Sequence, residues 1–153
     1  MKKLFPLLLL LAAACTSEDK KAPEEAPDDD LDAARTFIRA NLDGRIEEAR
    51  ALLLEDSLNL QYFNAFERNY EKWDPETKRM YRESSINIHK HQMENDSTGI
   101  LIYSNSYRND HDTLRIVRKG DGWKVDLKYL FDHPADTAKK PNPVLPTTDT
   151  TGK

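Results

Sequence analysis

The feature that most constrains this chain is a change of hydrophobic period near residue 84. Before it, apolar residues recur at helical spacing; after it, they alternate. Leu31, Ala34, Ile38 and Leu42, with Phe37 beside them, predict a first helix, and Asp43-Gly44 supplies its stop, because glycine tolerates a left-handed cap. Asp28–Asp30 place negative charge at the positive end of that helix. A short second helix is expected over Arg45–Leu54, burying Ile46, Ala49 and Leu53. Asp56 or Ser57 can cap a third, in which Phe63, Phe66, Tyr70 and Trp73 fall on one stripe. Asp74-Pro75 is a cap followed by proline at the first helical position, predicting a fourth helix to about Glu83.

From Ile86 the period is two. Ile86, Ile88 and Lys90 alternate with Asn87, His89, His91 and Met93, and after a turn over Glu94–Gly99 a second strand carries Ile100–Tyr107. Thr113–Lys119 and Trp123–Leu127 follow, joined by Lys119-Gly120-Asp121-Gly122, a tight hairpin signal. The expected fold class is α+β: N-terminal helices packed on a curved antiparallel sheet of about four strands. The expected domain is residues 31–131. The flanks differ in kind. Residues 16–30 hold two prolines, many carboxylates and no aliphatic side chain larger than alanine, so an acidic tether is expected over 15–30. Residues 132–153 hold Pro134, Pro141, Pro143 and Pro146 without periodicity and read as a disordered Pro/Thr-rich tail.

The N-terminus has its own pattern. Lys2 and Lys3 precede the apolar run Leu4–Leu11 and three alanines, the positive, apolar and small-residue parts of an export signal over 1–14. The run is well short of the roughly 20 residues that span a bilayer as a helix. Leu11-Ala12-Ala13-Ala14-Cys15 resembles the bacterial lipobox, although Ala12 stands where leucine is more frequent. The resemblance implies lipidation of Cys15, which would become the new N-terminus, and anchoring to a membrane by two or three acyl chains at about 0.8 kcal/mol per buried CH₂. The expected location is the outside of a bacterial membrane, the outer membrane first, facing the periplasm or the cell surface. Ser17-Glu18-Asp19 loosely resembles the acidic export stretch of Bacteroidetes-type lipoproteins; a plain solvated tether is favoured.

Loss of Lys2 and Lys3 with a signal would take the net charge from −4 to −6. No basic run exceeds paired lysines, which argues against nucleic acid as a partner. Cys15 is the only cysteine, so once it is lipidated no disulfide, thiol nucleophile or thiolate metal site remains.

Two further stretches carry a resemblance. Asp32–Leu54, helix, Asp-Gly, short helix, is similar to the start of small bacterial lipoproteins of the nuclear transport factor 2-like (cystatin-like, lumazine-binding-like) superfamily. Leu114–Asp126, LRIVRKGDGWKVD, is similar to their last hairpin. The resemblance implies a cone-shaped domain whose helices close one mouth of a curved sheet and leave a pocket. Its enzymes use an Asp base with Tyr or Asp as oxyanion donor, but no such motif matches here residue by residue.

Candidate chemistry is sparse. Tyr62, Tyr70, Tyr81 and Tyr103 are pocket-lining candidates, against the plainer role of amphipathic residues at the core edge. His89 and His91 share one face of an ideal strand and form a weak metal candidate with Glu94, His111 or Asp112 as third ligand; the plainer reading is a solvated sheet face. No phosphate loop, GxSxG elbow, HExxH or calcium loop occurs, and no cofactor is expected. Asp-Ser/Thr triplets at Asp56, Asp96, Asp112, Asp136 and Asp149 resemble a Bacteroidetes O-glycosylation signature, with Thr137 and Thr150 the accessible sites. The leading functional expectation is a lipid-anchored, non-catalytic binding or interaction module of the cell envelope, its partner an envelope protein, a glycan or a small apolar ligand. The alternative is a pocket enzyme of isomerase or dehydratase type using acid–base chemistry. A buried Asp or His beside a Tyr at an apolar cavity would favour the enzyme; a sheet face filled by Ile, Leu and Trp would not.

Overall fold

The computed structural model describes residues 27–120 and 122–132. Cys15, Thr137 and Thr150, and with them the expected signal, most of the tether and the tail, lie outside the described residues. The described chain is α+β, with four helices followed by a four-stranded antiparallel meander and a short last helix: α1 Asp30–Asp43, α2 Ile46–Ala51, α3 Ser57–Lys72, α4 Pro75–Arg82, β1 Ile86–Asn95, β2 Thr98–Asn105, β3 Asp112–Lys119, β4 Gly122–Asp126 and α5 Lys128–Asp132.

Local chemistry sets the helix ends. Asp29 caps α1 by accepting from the Asp32 amide at 2.8 Å. Gly44 closes α1 with φ of 74°, and the Tyr70 hydroxyl lies so near it that a Cβ there would be 2.1 Å from Oη. Asp56 caps α3 through the amides of Leu58 and Asn59, and Asp74 caps α4 ahead of Pro75. Helix α1 begins at Asp30, which the sequence assigns to the tether; this residue is buried, because its carboxylate reaches His91 on β1 at 2.7 Å. The short α5 has no sequence signal and extends the fold past the end of β4.

One face of the sheet carries Leu101, Leu114, Ile116, Trp123 and Val125, all buried against Ala33, Ala34, Phe37, Ile38 and Leu42 of α1 and against Ala49, Leu52, Leu53 and Phe63. These side chains fill the sheet face toward the helices. Burying each of the larger ones contributes about 1.5–3 kcal/mol relative to exposure, so this layer carries the fold. An aromatic ladder continues outward from it. Phe37, Phe63, Phe66 and Tyr70 follow with centroids 6.0–6.3 Å apart, Trp73 and Tyr81 meet edge-on at 5.0 Å, and Tyr107 closes the row 5.9 Å from Tyr81. The stripe expected on α3 therefore packs α3 onto α4 and, through Tyr107, onto the turn after β2.

At the other end a polar knot ties α3 to the last strand. Asn59, fully buried, donates to Asp56 at 2.8 Å and to Asp126 at 3.2 Å and accepts from the Leu127 amide at 2.7 Å. Lys128 joins both carboxylates. The hydrogen bonds to Asp56, led by the Asn59 amide, pull its carboxyl pKa down to about 2.

Candidate functional site

The strand carrying the two candidate histidines is not ideal. Ile88 pairs with Tyr103 and Lys90 with Ile102, so a register shift between them drops His89 out of the ladder. One extra residue reverses the alternation that follows. His91, opposite Leu101, therefore points to the helix side, where it meets Asp30. His89 points the other way, its Nε2 2.8 Å from Ser104 Oγ and its ring stacked on His111 at 4.0 Å. The two histidines do not share a face, and the chelating pair expected from an ideal strand is not formed. Among the described residues no group of three or more His, Cys, Asp or Glu side chains is arranged to hold a metal ion.

The tyrosines pack rather than ring a cavity. Tyr62, Tyr81 and Tyr103 are half-buried against the core, and Tyr70 sits in the aromatic ladder. Burial raises the Tyr81 phenol to about 12 and the Tyr103 phenol well above its ordinary value, and the nearby Asp112 adds to both. Asp112, opposite Tyr103 in the β2–β3 register, is itself raised to about 6, by burial first and by Asp110 in addition, against the pull of Arg108 and His111. The sequence alone offered Asp112 as a third metal ligand and as the start of a glycosylation triplet; what marks it out is the pairing of β2 with β3.

The structure adds a site built from residues some 50 positions apart. An open cleft of about 500 Å³ lies between α1 and the start of β1, lined by Arg35, Thr36, Arg39, Arg45, Ile86 and Ile88. Arg35, Thr36 and Arg39 project from α1 toward β1, and Ile86 and Ile88, half-buried, contribute apolar surface. Arg39 is held in place: its Nη groups donate to the carbonyls of Ser84 at 3.1 Å and Arg82 at 2.8 Å and pair with Asp43 at 3.1 Å. Its Nε is buried with no hydrogen-bond partner. Arg45 works against its partial burial by bonding Glu48 and Asp43, which raises its pKa. Arg35 is exposed and pairs with no carboxylate among the described residues. The cleft thus combines one unpaired guanidinium, a second with a spare buried donor, and an apolar wall. Such a set suits an anionic group attached to an apolar body. A second cleft of about 520 Å³ runs along Leu54, Glu55, Asp56, Lys119 and Lys124 and is more evenly charged.

Of the Asp-Ser/Thr triplets within the described residues, Thr113 is buried and unavailable to a modifying enzyme, while Ser57 and Ser97 are exposed. No described helix is long and apolar enough to cross a membrane. Comparison of the chain with protein-family models, with curated proteins and with solved structures finds no match.

Proposed function

We propose that this chain is a lipid-anchored, non-catalytic binding module of the bacterial cell envelope, attached through Cys15, and that its ligand is a small molecule with an apolar body and an anionic group seated between α1 and β1. The observation that carries the ligand class is the meeting of Arg35 and Arg39 with Ile86 and Ile88 in one cleft, on a chain whose net charge is negative. An exposed guanidinium beside apolar surface offers an anionic group a charged partner on an otherwise acidic protein. The filled sheet face, with Leu101, Leu114, Ile116, Trp123 and Val125 all buried, speaks for binding on the outside of the fold rather than chemistry inside it. Kinship with nuclear transport factor 2-like lipoproteins is part of the proposal, supported by the order of helices before a meander and by the last hairpin through Gly122-Trp123.

The enzyme reading draws on Asp112, whose pKa of about 6 beside Tyr81 and Tyr103 suits a general acid or base. Neither cleft described above is lined by Asp112, so a substrate has no evident seat against it.

Two experiments test the proposal. Cys15→Ser in the full chain is expected to move the protein out of the membrane fraction and to remove acyl mass in intact mass spectrometry; retention in the membrane would refute the anchor. Octanoate titrated calorimetrically into the purified full chain is expected to bind, with octanamide as the uncharged control. Arg35→Ala should weaken octanoate about ten-fold, the worth of one charge-assisted hydrogen bond. Equal binding of octanoate and octanamide would refute the ligand class.

A further inference from the structure

The two edges of the sheet are treated differently. Beside β4, the Leu54 amide donates to the Val125 carbonyl at 2.9 Å and the Val125 amide to the Leu52 carbonyl at 2.8 Å, so the Leu52–Leu54 segment closes that edge. The outer edge of β1 has no backbone partner among the described residues, although β1 is the longest strand of the sheet at ten residues. Residues 89–95 are exposed along it, and Met93, an apolar side chain, is 40% exposed. A long open edge is a template for strand addition.

Sidedness follows from the register. Lys90 and Gln92 stand opposite Ile102 and Ile100, whereas His91 and Met93 stand opposite Leu101 and Gly99 on the helix side. A second register shift, between Met93 and Asn95, drops Glu94 out of the ladder with β2; next after the helix-facing Met93 it stays on the side of Lys90 and Gln92, as His89 does after Ile88 at the first shift. The outward row therefore reads Lys90, Gln92, Glu94: cation, neutral amide, anion. A sequence with this order is complementary to its own reverse.

We propose that β1 pairs antiparallel with β1 of a second copy of this chain, about a two-fold axis at Gln92, making one continuous eight-stranded sheet. In that register Lys90 of each copy faces Glu94 of the other, and the two charge pairs flank the opposed Gln92 side chains. On the helix side Met93 faces His91 of the second copy and loses much of its exposure. Sliding the pairing by two residues in either direction separates Lys90 from Glu94. The lysine and the register shifts at His89 and Glu94 discourage indiscriminate strand addition, so the strand admitted is one that sets a carboxylate opposite Lys90. The symmetry also suits attachment to one surface. A two-fold axis perpendicular to the sheet keeps the helices of both copies on the same side. Because Asp30 bonds His91, both chains enter their domains on that side and close to the axis. Anchoring two copies in one membrane would raise their effective concentration, but the pairing itself does not depend on the anchor.

The test uses the full chain in its own membrane fraction. Gln92→Cys places one thiol directly across the axis from its twin, at a Cα separation of about 4.5–5.5 Å, within the range a disulfide bridges. Mild oxidation is expected to give a covalent homodimer, with the unsubstituted chain as control for any link through Cys15. Adding Lys90→Glu or Glu94→Lys singly should lower the cross-linked fraction about five-fold or more, since either change opposes like charges twice. Co-expressing the Lys90→Glu and Glu94→Lys chains, each with Gln92→Cys, should restore the link between the two kinds of chain. That rescue separates pairing from any effect on folding. A folded Gln92→Cys chain that stays monomeric, links to a different protein, or links equally in both charge variants would overturn the proposal.

Discussion

Asn59→Leu isolates the polar knot that joins α3 to the end of the sheet. Leucine keeps the branched outline of asparagine and is bulkier, so the change removes hydrogen bonds without opening a cavity. Asn59 is fully buried and makes three side-chain bonds, to Asp56, Asp126 and the Leu127 amide. In the variant the Leu127 amide, in a buried residue, is left without its partner, which costs about 1–3 kcal/mol. Asp126, also buried, keeps the Lys128 amide at 3.3 Å and Lys128 Nζ at 3.5 Å but loses a bond to a charged acceptor, worth about 1.5–3 kcal/mol. Asp56 is more exposed and recovers water, so its loss adds little. The expected total is about 3–5 kcal/mol. For a domain of roughly 100 residues, at about 4–8 °C per kcal/mol, that is a fall in Tm of about 15–30 °C. Urea unfolding of the full chain followed by far-ultraviolet circular dichroism measures it, with an unchanged m-value as the sign that the unfolded state is not the cause. A loss below about 1 kcal/mol would mean that the buried partners of Asn59 are satisfied some other way, and the reasoning would fail.

Two further perturbations follow from the structure. Asp112 has a folded-state pKa of about 6 against an ordinary value of 3.8, so the folded state holds its proton more tightly and stability rises as pH falls from about 6 toward 4. Asp112→Asn should remove that slope and raise the midpoint of thermal unfolding at pH 8; an unchanged slope would remove Asp112 as its source. Gly99→Ala would set a Cβ 1.8 Å from Asp30 Oδ2, forcing Asp30 away from His91 and costing about 1–3 kcal/mol. In an Asp30→Ala background the same substitution should cost much less, and additivity of the two changes in a double-mutant cycle would exclude that clash.

Much of the architecture was legible because it rests on short-range chemistry. The caps at Asp56 and Asp74, the proline at position 75 and the left-handed Gly44 act within four residues, so their helices begin and end close to where the chain announces them. The four strands follow from alternation, and the turn after Lys119 from its glycines. The stripe of Phe63, Phe66, Tyr70 and Trp73 on α3 is also readable, because helical spacing alone aligns it.

What the tertiary structure decided is where distant residues meet and which way a strand turns its side chains. An ideal strand puts His89 and His91 together; the register shift that separates them is set by pairing with β2 and leaves no mark in the two residues themselves. Asp30 reads as the last of an acidic tether until His91 accepts it into the fold. Helix α5 carries no cap or periodicity, and the cleft joins α1 to β1 across some 50 residues of chain. The burial that raises Asp112 exists only once β3 pairs with β2, where Asp112 stands opposite Tyr103. Local dihedral preferences and side-chain periodicity are properties of a segment and can be read from it. Register, burial and the convergence of side chains are properties of packing, and they exist only once the whole chain has folded.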